Sequence, residues 1–142
     1  MSRIELRIPM TIPRACSPNG RFHHMAVAKA KADLRRQTYM VAQWGGAKQA
    51  PTFQRARITL QLHVYRKRGG SPGYRPKDGD NLMAACKGLF DGLTDAGVIK
   101  DDSAQYVEHG TPSFIEVGRT EDECIAVVIE DIEVALRKAV EG

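Results

Sequence analysis

Hydrophobic and charged residues alternate along RIELRI at residues 3–8, the period-2 pattern of a half-buried strand. Pro9, Pro13 and Pro18 then keep the chain extended into SPNGR, a loop that presents Arg14, Asn19 and Arg21. From about Met25 to Trp44 there is neither Pro nor Gly, and Lys29, Lys31, Arg35 and Arg36 run alongside Val27, Leu34, Tyr39 and Val41, which predicts a basic amphipathic helix. ARITLQLHVY predicts the clearest strand, with Ala56, Ile58, Leu60, Leu62 and Val64 on one face and Arg57, Thr59, Gln61, His63 and Tyr65 on the other.

Residues 66–77, with three glycines and two prolines, form a loop. Leu82, Cys86, Leu89 and Leu93 then recur at intervals of three and four, with Gly97 just beyond, so a second helix is expected over roughly 81–95. Short strands follow near 105–109 and 113–118, a third at CIAVVIEDI, and EVALRKAV has helical character. With 142 residues and no internal repeat, one core without a second domain is expected, a single domain over 1–142. MSRIELRIPM is charged from residue 3, and the longest strongly apolar run is the six residues CIAVVI, so neither a signal peptide nor a membrane span is expected. Cys16, Cys86 and Cys124 are odd in number and far apart, and read as reduced, cytoplasmic thiols.

Charge changes the picture. Residues 1–77 carry 16 Lys or Arg against Glu5 and Asp33, a net of +14, and residues 78–142 carry 5 against 15 acids, a net of −10. The separation suggests a polyanion footprint beside carboxylates with another task, and nucleic acid leads as the polyanion. The alternative is that the halves neutralise one another within the fold.

The candidate chemistry lies where the two halves meet. Asp78 and Asp80 flank a glycine in PKDGDNL, and in an extended segment side chains two apart point the same way, about 6.6 Å apart at Cα. Asp101 and Asp102 stand just past the second helix and before a strand, from where a sheet returns them to the helix start. Several hard oxygens near a basic surface suit Mg²⁺ that also binds phosphate. Taken singly, Asp80-Asn81 is a helix N-cap signal and KDDS an ordinary polar turn.

The string DGDNLMAACKGLFDGLTDAGVIKDDS, with SPNGR and the basic first helix, resembles the RusA family of phage-type Holliday-junction resolvases. The resemblance is specific within 76–105 and weaker elsewhere. It implies a small mixed α/β (α+β) fold, a small mixed sheet with helices packed on it, a cytoplasmic bacterial or phage-encoded homodimer, and Mg²⁺-dependent nicking (with Mn²⁺ as an alternative) of opposed strands at a four-way junction. The N-terminal strand and the strand at 56–64 offer apolar surface for such a dimer. Matched residue by residue, it assigns Asp78, Asp80 and Asp102 to the metal, with Asp101 as a helper, and Lys87 to the catalytic cation. Lys87 stands seven residues after Asp80 where shorter members have four, and on a continuous helix that places it about 10.5 Å along the axis. Asp91 is expected to lie too far from Asp80 for the same metal. The basic residues Arg14, Arg21, Lys29, Lys31, Arg35, Arg66, Lys67, Arg68, Arg75 and Lys77, together with Asn19, would contact DNA, through phosphates above all. His23, His24, His63 and His109 lack ligand-like spacing and read as structural or solvent-facing, and Trp44 and Tyr39 as core rather than base-stacking residues.

Overall fold

The computed structural model describes residues 3–13, 16, 23–44, 52–65 and 79–132, the side chains of 79–81 excepted. Its strands are β1 (Arg3–Ile8), β2 (Ala56–Tyr65), β3 (Val107–His109), β4 (Ser113–Val117) and β5 (Cys124–Asp131), and its helices α1 (His24–Trp44), α2 (Gly79–Ala85) and α3 (Lys87–Asp95). The fold is mixed α/β, as expected. β5 runs antiparallel between β1 and β2, and β3 and β4 both lie parallel to β2 on its far side. A parallel neighbour needs a crossover, and the segment containing α2 and α3 supplies it.

Register explains why the alternation was legible. Ile4, Ile129 and Ile58 form one row across three strands; Leu6, Val127 and Leu60 form the next; Ile8, Ile125 and Leu62 the third. All nine are buried under the helices. β5 is buried along six successive residues, so both of its faces are covered there, whereas β2, which also has a strand on each side, alternates. β3 and β4 are one interrupted edge: Ile58 pairs with His109 and Gln61 with Ser113, so the edge carries one extra residue. Gly110 sits in that bulge, where a Cβ would collide with the Thr59 hydroxyl.

α3 lies against α1 at unusually short range. A Cβ on Gly88 would stand 2.7 Å from the Lys31 carbonyl oxygen, and one on Gly92 2.6 Å from that of Arg35 and 2.8 Å from Thr38 Cβ. Thr38, fully buried at this crossing, donates its hydroxyl to the Leu34 carbonyl at 2.8 Å, so burial leaves no polar atom unpaired there.

Three expectations are corrected. The helix expected over 81–95 is two helices, broken at Cys86 (φ −95°, ψ 9°), whose carbonyl accepts from both Leu89 and Phe90 N–H. Trp44 and Tyr39 are not core: Trp44 is 86% exposed and Tyr39 40%. The apolar sides of β1 and of the strand at 56–64, expected to offer a dimer surface, are covered by the chain's own helices. The tail at 133–142 lies outside the described residues.

Candidate functional site

The described part of the site is assembled by two turns. Lys87 opens α3 directly after the Cys86 break, so it begins a helix instead of continuing one, and the axial distance reckoned from Asp80 along a single helix does not apply. At the other end of α3 the chain reverses in a Schellman turn: Gly97 takes φ +76°, Val98 N–H donates to the Leu93 carbonyl and Gly97 N–H to that of Thr94, both at 3.0 Å. Val98 and Ile99 are then buried, and Phe53 N–H donates to the Val98 carbonyl. This fixes the direction in which residues 100–102 run back along α3. Ser103 closes the return by accepting from Tyr106 and Val107 N–H.

The outcome is a triad. Lys87 Nζ lies 2.6 Å from Asp102 Oδ2 and 3.1 Å from Asp91 Oδ1. Asp101 accepts the Asp102 N–H at 2.8 Å and so orients the loop instead of joining the triad. Hydrogen bonding to Lys87 holds the Asp102 carboxyl below the usual carboxylate range against the opposing effect of burial, and hydrogen bonds to Asp102 and then Asp91 raise the Lys87 ammonium. Lys87 is half exposed. Such a pair contributes about 1 kcal/mol or less, so the triad rearranges at little cost when a stronger charge arrives.

Two carboxylates facing one ammonium leave the triad net negative. The donors are all oxygens and converge on one cationic atom, which fits a hard divalent ion held by one or two carboxylates plus water and phosphate. Among the described residues no group of three or more His, Cys, Asp or Glu side chains comes together to hold a metal, and the side chains of Asp78 and Asp80 are not among them. The backbone of Asp80 lies in the first turn of α2.

Of the sequence candidates, Lys87 and Asp102 are therefore brought together. Asp91, set aside as too distant because it was measured from Asp80, belongs with them through its i, i+4 spacing to Lys87. Lys29, Lys31 and Arg35 are exposed on α1; Arg35 is engaged by Asp95 through two hydrogen bonds. Asp78, Arg14, Asn19, Arg21, Arg66, Lys67, Arg68, Arg75 and Lys77 lie outside the described residues. His109 is exposed beside the Phe90 ring, and His23 and His24 are exposed. None of the cysteines is suited to act as a thiolate: burial raises Cys16 and Cys124 and pushes Cys86 up to about 12.

No protein-family model matches the chain, and no curated protein matches it. No helix among the described residues is long and apolar enough to cross a membrane.

Proposed function

We propose that the protein is a Mg²⁺-dependent endodeoxyribonuclease selective for branched DNA, acting on four-way junctions by paired nicks in opposed strands. The observation that carries this reading is the placement of Lys87 Nζ between Asp91 and Asp102. Asp78, Asp80 and Asp102 would hold the metal, with Asp101 fixing the Asp102 loop. When bound, Mg²⁺ lowers the pKa of a coordinated water and neutralises charge on the phosphodiester. Lys87, which pairs with Asp102 and Asp91, would place its ammonium beside the scissile phosphate, where developing negative charge is greatest. The basic residues of the first half hold flanking phosphates and set position without reading sequence.

Symmetric nicks need two sites related by a two-fold axis, which a closed homodimer of about 31 kDa, twice 15.7 kDa, supplies. The test is incubation of the purified protein with labelled four-way junction, flap and duplex DNA, with and without Mg²⁺. Paired nicks confined to the junction support the reading. Cleavage of flaps alone reassigns the substrate, and no cleavage with Mg²⁺ or Mn²⁺ leaves a DNA-binding module in which the triad is a helix-to-loop tie.

A further inference from the structure

The exposed face of α1 has so far been given phosphate contacts alone, yet its composition is unusual for a solvated helix. Along one i, i+4 row stand Ala32, Arg36, Met40 and Trp44, and beside it Arg35 and Tyr39, so that Tyr39 and Trp44, five positions and about 140° apart, flank the exposed side of the helix at its two edges. Met40 is 46% exposed and Trp44 86%, the largest exposure of any large hydrophobic side chain described. Ala32, Arg35, Arg36, Tyr39 and Asp95 line a shallow groove of about 350 Å³. Arg35 forks onto Asp95 through two hydrogen bonds, whereas Arg36 reaches Asp33 at 3.5 Å.

We propose that the exposed side of α1 seats unpaired bases of a DNA strand, with Tyr39 and Trp44 as stacking platforms at its two edges and Lys29 and Arg36 between them as phosphate contacts. The inference rests on the reading of the protein as a DNA-branch enzyme and names the part of the branch it grips. Charge selects the occupant: α1 carries Lys29, Lys31, Arg35 and Arg36 against Asp33 alone, so a polyanion is attracted. A second copy meeting this face across a two-fold axis would oppose like charges. The aromatics select further. A fully stacked duplex has no free base face to offer them, whereas unpaired bases stack on aromatic rings at about 1–3 kcal/mol each, whatever the sequence.

Trp44 is the single tryptophan of the chain, so its fluorescence reports the site directly. In EDTA, where no cleavage occurs, a 20-nucleotide oligo(dT) should quench Trp44 saturably and a blunt duplex should not. Tyr39→Ala should weaken binding of the single strand about 10-fold, a stacking loss within the range above, and leave duplex binding unchanged, and Tyr39→Phe should bind as the wild type. Absence of quenching, or wild-type affinity in both Tyr39→Ala and Trp44→Ala, overturns the proposal. So does a concentration-dependent blue shift of Trp44 without DNA that vanishes as the protein dissociates, which makes the face a self-association surface. A protein that shows the quench but cuts nothing refutes only the nuclease reading; one that cuts junctions with Trp44 unresponsive refutes only this one.

Discussion

α3 presents two faces that are held by opposite physics. On one, Gly88 and Gly92 press onto backbone carbonyls of α1 at distances where a single added carbon has nowhere to go. On the other, the half-exposed Lys87 ammonium pairs with both Asp91 and Asp102. The first face fixes where the helix lies; the second decides what the helix can do there. A change on the glycine face should therefore read out as stability, and a change on the charged face as chemistry with the fold intact.

The largest expected effect breaks the charged face. Asp102→Asn should lower junction cleavage more than 100-fold, about 2.7 kcal/mol, with urea unfolding near that of the wild type and junction binding equal or tighter, since repulsion of phosphate falls. Asp78→Asn and Asp80→Asn should behave alike. Wild-type cutting in any of the three would remove that residue from the metal site.

Next comes the steric face. Gly92→Ala should destabilise by about 1–3 kcal/mol, because the methyl meets the Arg35 carbonyl and Thr38 and the helices must part. A lowered urea midpoint with an unchanged slope checks this, and cutting per folded molecule should be retained. An unchanged midpoint would mean that the approach of α1 and α3 is looser than described.

Lys87→Ala is the sharper probe of the difference. At saturating DNA and Mg²⁺ single-turnover cleavage should slow about 10-fold, or 1.4 kcal/mol, with affinity little changed. Loss of affinity alone would make Lys87 a backbone contact. Asp91→Asn should give a milder loss of the same kind.

The smallest effect concerns the ion pair that borders the glycine face. Hydrogen bonding to Arg35 holds Asp95 below the usual carboxylate range, so the stability it contributes is present above that range and is lost as pH falls through the lowered value. The pair is exposed, so the gap between wild type and Asp95→Asn in urea should be slight at neutral pH and vanish in strong acid. A gap that widens in acid would mean the carboxyl, not its charge, matters.

How much was legible follows from what each element depends on. Strands such as β1 and β2 were readable because a period of two exposes itself in four residues and burial on one face confirms it. The break at Cys86 was not, because Ala85 and Cys86 are compatible with a helix and the 3–4 spacing of Leu82, Cys86, Leu89 and Leu93 continues across it. Tyr39 was misplaced because it was grouped with Leu34 by hydrophobicity, although five positions turn it about 140° away, and the buried stripe runs through Thr38 and Ala42 instead. The meeting of Lys87 with Asp102 needed the Gly97 reversal. A glycine just past the helix hinted at that turn, but the burial of Val98 and Ile99 sets its direction.

The place of β5 has a consequence for how the molecule is made. Among the described strands β1 and β2 are joined through β5, which ends at Asp131, so this inner strand of the sheet leaves the ribosome after the two strands that it holds together. At about 5–20 residues per second, some seconds pass in which Ile4, Leu6 and Ile8 have been synthesised but lack the strand they pair with, whereas Lys87 and Asp102 are only 15 positions apart and both are made before β5. The charged corner is thus synthesised as a unit, and the core that buries Val98 and Ile99 and so aims it is completed last.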